Sequence, residues 1–312
     1  MSPPRTIGIC GAGQMGAAAA IAFKRAGYQT LLWVRAKRKI PTIRLVLSNL
    51  ELWMERNVGR SAEKGGEIEV TGDLGRIDRE SDLVMDAISE NLAEKADLFE
   101  RLGAARRRGA IFITTTSGLS ITALGRRSGT GPRLVGTHFW NPPHLMPLVE
   151  VVRGEDTEEE AVDQVVDVVR SIGKIPVKVN RDVPGFIGNR LLHAMWREAI
   201  NLVERGIASP TDIDRVARLT FGLRLAAVGP LENMDLVGLD LVATIHEYLL
   251  ADLSDADRPL AALAERVADG KLGTKSGEGF YDWRSRNVVN LIARRDRQIV
   301  RQLAFLKEID AL

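Results

Sequence analysis

The chain has 312 residues, 45% of them hydrophobic and 27% charged, with a formal net charge of +2. That length suits two domains rather than one. The balanced charge gives no reason to expect nucleic acid or an anionic membrane as partner. Cys10 is the sole cysteine, which excludes an internal disulfide and a cysteine-held metal centre and points to a reducing, cytoplasmic setting. No secretory signal precedes the first strand, and apolar runs are broken by charge or proline too soon to span a membrane.

In chain order, residues 6–10 read as a buried strand, 14–26 as a small-residue helix closed by Gly27, and 30–34 as a second strand. Residues 41–56 predict a helix with Ile43, Leu47, Leu50 and Met54 on one side. Further strands are expected at 67–71, 83–88, 111–115 and 133–140, with one helix over 92–108. Residues 157–172 read as a helix with Val162, Val165, Val166, Val169 and Ile172 on one face, opened by a capping box of Thr157 and Glu160. Strands at 148–152 and 175–179 complete this half. The alternation predicts an α/β fold with a doubly wound, mostly parallel sheet of the Rossmann type. After Asp182-Val183-Pro184-Gly185 the strand signal stops. Helices are expected at 187–205, 210–221, 231–249 and 259–269, then a basic helical stretch from Asn287.

Gly11, Ala12, Gly13, Gln14, Met15 and Gly16 lie between the first strand and the first helix. In that place the first glycine permits the tight turn and the second lets backbone approach a pyrophosphate. The third lets helix and strand pack closely, and the helix start offers positive potential. A bare glycine-rich turn is the plain alternative, and the strand-to-helix context favours dinucleotide binding. NAD-binding folds usually end the second strand with an acid that holds the ribose hydroxyls. Here Val34, Arg35, Ala36, Lys37, Arg38 and Lys39 follow, with no carboxylate. Arg35 with Lys37 and Arg38 would clasp a 2′-phosphate, so NADP is favoured over NAD, with NAD and a solvated basic turn left open.

If strands 133–140 and 148–152 fold back symmetrically about His144, His138 faces Glu150. A carboxylate beside an imidazole fixes its tautomer and stabilises its charged form, as general acid–base work requires. A lone histidine is more often structural, and His144, His193 and His246 are read so.

The chain resembles the L-3-hydroxyacyl-CoA dehydrogenase family over nearly its whole length. The resemblance is carried by residues 11–16, Ser89-Glu90-Asn91-Leu92 with Lys95, and Thr116-Ser117-Gly118-Leu119. It continues through His138-Phe139-Trp140-Asn141-Pro142, Leu148-Val149-Glu150-Val151, residues 184–190, Gly229-Pro230, Gly238-Leu239-Asp240 and residues 277–281. It implies that His138 is the general base that Glu150 orients, and that Ser117 and Asn189 hold the reacting oxygen. It also implies that Glu90 and Lys95 lie beside the nicotinamide ribose. By it, 1–182 is the dinucleotide-binding domain, 183–312 a helical substrate and dimerisation domain, the active site lies between them, and the chain is a homodimer. A 3-hydroxyacyl-CoA thioester of fatty acid metabolism is the first expected substrate. A CoA-free hydroxy acid, ester or alcohol is the alternative, and a non-catalytic, crystallin-like dinucleotide-binding protein the second.

Some residues depart from the family pattern. Thr115 stands where the family usually has asparagine. Residues 41–66 lack the lysine-rich helical arm that helps hold CoA phosphates, with only Arg44, Arg56, Arg60 and Lys64 as substitutes. The turn Asn141-Pro142-Pro143-His144 looks more like the branches that oxidise CoA-free alcohols.

Overall fold

The computed structural model describes residues 4–59 and 65–309. Arg60 and Lys64 lie outside the described residues. Two compact units divide the chain, Met1–Arg190 and Leu191–Leu312.

The first unit is built on one eight-stranded sheet. Its strands and helices run β1 (Thr6–Cys10), α1 (Gln14–Arg25), β2 (Gln29–Trp33), α2 (Ile40–Asn57), β3 (Ile68–Thr71), α3 (Leu74–Glu80), β4 (Leu83–Asp86), α4 (Leu92–Glu100) and α5 (Gly103–Arg107). They continue through β5 (Ile111–Thr114), α6 (Ile121–Ser128), β6 (Leu134–Phe139), β7 (Leu148–Arg153), α7 (Glu159–Ser171) and β8 (Ile175–Val179). The sheet order is β3-β2-β1-β4-β5-β6-β7-β8. Every neighbouring pair is parallel except β6 and β7. This is the doubly wound sheet that the sequence pattern predicts, with the inner strands apolar on both faces because helices cover both.

Several expected boundaries change. The single helix over 92–108 is two, α4 and α5, with Leu102 between them turned into the core at 0% exposure. Helices α3 and α6 were not expected. Asp73 caps α3 by accepting from Gly75 N, and Ser120 caps α6 by accepting from Ala123 N. The capping box of Thr157 and Glu160 does not form, because the Thr157 oxygen accepts from Gly154 N at 3.1 Å while its hydroxyl donates to Leu134 O at 2.7 Å. α7 therefore starts after Glu158, which makes no side-chain cap.

The helix α8 (Gly188–Glu204) runs from the end of the first unit into the second. The second unit continues with α9 (Pro210–Leu219), α10 (Phe221–Arg224), α11 (Pro230–Val237), α12 (Leu239–Leu249), α13 (Ala261–Ala268) and α14 (Val288–Glu308). The helix expected over 231–249 is split at Gly238, whose φ of 102° ends α11 and starts α12. Carboxylates of α8 tie it to later segments: Glu198 accepts from Ser254 N at 2.8 Å, and Glu204 from Ala262 N in the first turn of α13 at 2.8 Å.

Candidate active site

The antiparallel pairing of β6 with β7 sets His138 directly opposite Glu150. Both side chains are buried, at 5% and 2% exposure. His138 Nδ1 lies 2.6 Å from Glu150 Oε2. Glu150 Oε1 accepts from Ile187 N at 2.9 Å and Gly188 N at 3.0 Å. Burial acts to raise the Glu150 carboxyl, but the His138 bond and the two amides outweigh it and hold the group below the usual range. A carboxylate accepts only, so Nδ1 carries the proton and Nε2 presents its lone pair. The Trp140 ring packs at 4.9 Å and the Phe186 ring at 5.9 Å from the imidazole. Phe186 holds φ of 49°, which turns the chain so that the next two amides reach Glu150. Gly188 leaves room for Trp140, since a Cβ there would lie 2.1 Å from the indole.

A second cluster is joined to the first by residues 187–189. Asn189 Nδ2 donates to Ser117 O at 3.0 Å. Glu90 Oε1 accepts from Ser117 N at 2.8 Å and from the Thr116 hydroxyl at 2.5 Å. The Ser117 side chain itself is exposed. Lys95, expected beside a ribose, is wholly buried, with its ammonium on Asp86 and 3.7 Å from Glu90. Any hold it has on a ligand passes through Glu90.

The glycine-rich turn fits a dinucleotide. Gly11, at φ 111°, lies against β4, where a Cβ would meet Ala87 O at 2.4 Å. A Cβ on Gly16 would meet Gly11 O at 1.9 Å, so helix and strand are as close as the third glycine allows. Beside Gly13 there is open space, and no side chain caps the start of α1. The first amides of the helix, at Gln14, Met15 and Gly16, are therefore left for a phosphate. Gln14 Nε2 also donates to Asn141 Oδ1 at 2.8 Å, which ties this turn to the chain just after His138. The contact of Asn141 spans 127 positions, and no local pattern in the sequence signals it.

Val34 is buried beyond β2, its N–H donating to Thr71 O. Arg35 is exposed and lines a cleft of about 600 Å³ with Trp33, Asp73, Ile88, Glu94 and Arg101. The absence of a carboxylate near this end of β2 holds along the sequence but not in space. β3 is the sheet neighbour of β2, so Asp73 from its end reaches the same cleft, and Glu94 Oε2 stands 3.9 Å from Arg35. Lys37 lies over the backbone of Gly72, and Arg38 is exposed in a short turn outside the cleft lining. Arg101 is a second base in the cleft that the sequence reading missed. Of the remaining histidines, His144 packs edge-on against Trp53 and His193 against Trp196.

Two family models account for most of the chain. Residues 6–183 match the 3-hydroxyacyl-CoA dehydrogenase NAD binding domain, and residues 185–283 match the C-terminal domain of the same enzymes. The chain belongs to the 3-hydroxyacyl-CoA dehydrogenase family. It is thus an oxidoreductase of the type that acts on CH–OH groups, and its cofactor is a nicotinamide dinucleotide. Within the family it is 36% identical over 297 residues to 5-formyl-3-hydroxy-2-methylpyridine 4-carboxylate 5-dehydrogenase of Mesorhizobium japonicum, covering 95% of this chain and 96% of that one. It is 37% identical over 287 residues to a probable 3-hydroxybutyryl-CoA dehydrogenase of Deinococcus radiodurans, covering 88% and 99%. A solved structure of a 5-formyl-3-hydroxy-2-methylpyridine 4-carboxylic acid 5-dehydrogenase, described as an NAD+ dependent dismutase, superposes with a TM-score of 0.92 at 35% identity over 97% of this chain and 98% of that one. Among the described residues, no helix is long and apolar enough to cross a membrane.

Proposed function

We propose that this dehydrogenase reversibly oxidises a hydroxyl-bearing carbon of a small, CoA-free substrate, with His138 as the general acid–base and NADP preferred over NAD. The bound nicotinamide dinucleotide supplies the hydride acceptor in oxidation and the donor in reduction. His138 Nε2 takes the proton of the substrate hydroxyl, and Glu150 offsets the charge the imidazole gains. The Ser117 hydroxyl and the Asn189 amide donate to the reacting oxygen as it gains alkoxide character. In the other direction the same proton returns. A secondary alcohol and the hydrate of an aldehyde both present such a hydroxyl, so one site serves either.

The observation that carries this reading is the 2.6 Å bond between His138 Nδ1 and Glu150 Oε2, with Glu150 fixed in turn by two backbone amides. It gives the imidazole one tautomer and one orientation, with the basic nitrogen directed away from its partner. The CoA-free substrate is supported by α2 and by the pyridine-carboxylate relative. The sequence of α2 carries two arginines, Arg44 and Arg56, and two carboxylates, Glu51 and Glu55, so its own charges sum to zero. That helix therefore offers little positive charge to a CoA phosphate. A 3-hydroxyacyl-CoA thioester is the second reading, favoured by the hydroxybutyryl-CoA relative, and goes with a place in fatty acid metabolism.

Initial rates with 3-hydroxybutyryl-CoA, free 3-hydroxybutyrate and a 5-formylpyridine-4-carboxylate, each with NAD+ and NADP+, test both parts. Turnover of the CoA-free compounds alone is expected; turnover confined to the thioester reverses the substrate assignment. For the cofactor, Arg35 and Arg101 support a 2′-phosphate in the cleft beyond β2. Arg35→Asp is expected to lower the NADP+ to NAD+ ratio of kcat/KM by about tenfold, the loss of one charge-assisted contact. An unchanged ratio leaves Arg35 a solvated side chain.

A homodimer formed through the helical domain, 183–312, which contains the whole second unit, is part of the same reading. Its support is the unburied apolar surface of that unit, where Leu223, Leu231 and Leu236 are each more than two-thirds exposed. The nucleotide-binding role then falls to 1–182, and the setting is cytoplasmic.

A further inference from the structure

Asp86 ends β4 in the middle of the sheet, opposite Cys10 on one side and Thr114 on the other, and is 0% exposed. Lys95, also 0% exposed, reaches it from the first turns of α4 and bonds to Oδ1. A dry ion pair of this kind gives little net stability, since desolvating two charges offsets most of their attraction, and apolar side chains of equal size serve a core as well. The pair instead connects to the second cluster of the site. The same ammonium stands 3.7 Å from Glu90 Oε2, and Glu90 Oε1 holds the Thr116 hydroxyl and the Ser117 amide. The Thr116 oxygen then accepts from Leu119 N at 2.8 Å and Gly118 N at 3.2 Å. Asp86 also grips the turn directly, its backbone carbonyl accepting from the Thr115 hydroxyl at 2.9 Å.

We infer that Asp86 is a positioning residue: through Lys95 it fixes the Glu90 carboxylate, which in turn sets the backbone at Ser117 and the aim of its hydroxyl. Lys95 lies between Asp86 and Glu90, and Glu90 stays on the Ser117 amide. Without Asp86 the ammonium turns wholly to Glu90, and without both residues Glu90 loses its cation; either way its grip on the Ser117 amide loosens. This rests on the proposed role of Ser117 at the reacting oxygen.

The test is a kinetic cycle crossing the charge-neutral double variant Asp86→Asn/Lys95→Met with Ser117→Ala. Thermal midpoint and dinucleotide binding are followed alongside kcat and KM. The double variant is expected to lose about tenfold in kcat with Ser117 present, the scale of a small misplacement, and less than twofold with Ser117→Ala already in place. A structural role would instead cost the same factor in both backgrounds, and that result overturns the inference. Asp86→Asn alone, which keeps the shape of the side chain, carries the same cycle if the double variant does not fold, with the same two readings. If Ser117→Ala alone leaves kcat unchanged, the relay and the proposed role of Ser117 both fail. Equal losses in both backgrounds remove the relay only.

Discussion

In the first unit, Ile7, Ile9, Leu32, Val84, Phe112 and Val151 are each 0% exposed, and the inner strands are dry on both faces. In the second, among the described residues, only Leu306 is buried, while leucines along α10, α11 and α12 stand in the open. A layered sheet finishes its core within one chain because helices cover each face. Amphipathic helices leave apolar stripes that must be covered from elsewhere. The proposed chemistry accordingly belongs to the region whose packing is complete, and the proposed assembly to the region whose packing is not.

The largest expected effect tests the first half of that contrast. His138→Ala should lower kcat by about a thousandfold, the usual worth of a positioned acid–base group, while NADPH binding measured by fluorescence stays near wild type. Equal loss of cofactor affinity would mean the imidazole shapes the fold rather than the reaction. The second half is tested by Leu236→Arg at a side chain 76% exposed. If a second copy covers that face, sedimentation should show the dimer falling to monomer. An intact dimer places the interface elsewhere. A change in monomer stability is expected to stay within about 0.5 kcal/mol, as for an ordinary surface site.

The smallest effect concerns Lys174, at the start of β8, whose ammonium donates to Pro143 O at 2.9 Å and Met146 O at 2.7 Å. It holds the turn that follows His138. Burial pushes this lysine from 10.5 down to about 8. Between those values the unfolded chain binds more protons than the folded one, so this group adds stability as pH rises. The stability difference between wild type and Lys174→Met should therefore grow from pH 8 to pH 10 by at most about 1.4 kcal/mol per unit. Urea midpoints of both proteins across that range check it, and a constant difference would show that Lys174 titrates normally.

What could be read in the sequence was what neighbouring residues decide. The glycine turn, the strand alternation and the register of β6 on β7 all follow from local spacing, and the facing of His138 by Glu150 came from symmetry about His144. What escaped depends on residues far apart. Helix α6 is eight residues long, too short for a clear period, and the Asp182 carboxylate accepts from its Ser120 hydroxyl and Thr122 N at 2.7 and 2.8 Å. Asp73 enters the cleft beside Arg35 only because β3 lies next to β2. Asp86 reads as one more strand residue, because its partner Lys95 comes from the next helix and folds back upon it. The cap expected from Thr157 fails because its oxygen already accepts from Gly154 N and its hydroxyl is held by Leu134 O, 23 positions away.

The cross-strand placing of His138 and Glu150 has a further consequence. Side chains directly opposite in a ladder share one face, and a slip of one residue would send a side chain to the other. The spacing between imidazole and carboxylate is thus set by the ladder of β6 and β7, whose register the length of the turn 140–147 fixes. That turn is packed inward, with Pro142, Pro143 and Leu145 buried and with Gln14 and Lys174 bonded to it. One residue more or fewer between Trp140 and Pro147 would therefore part the acid–base pair, whereas exchanges that keep the length leave it facing.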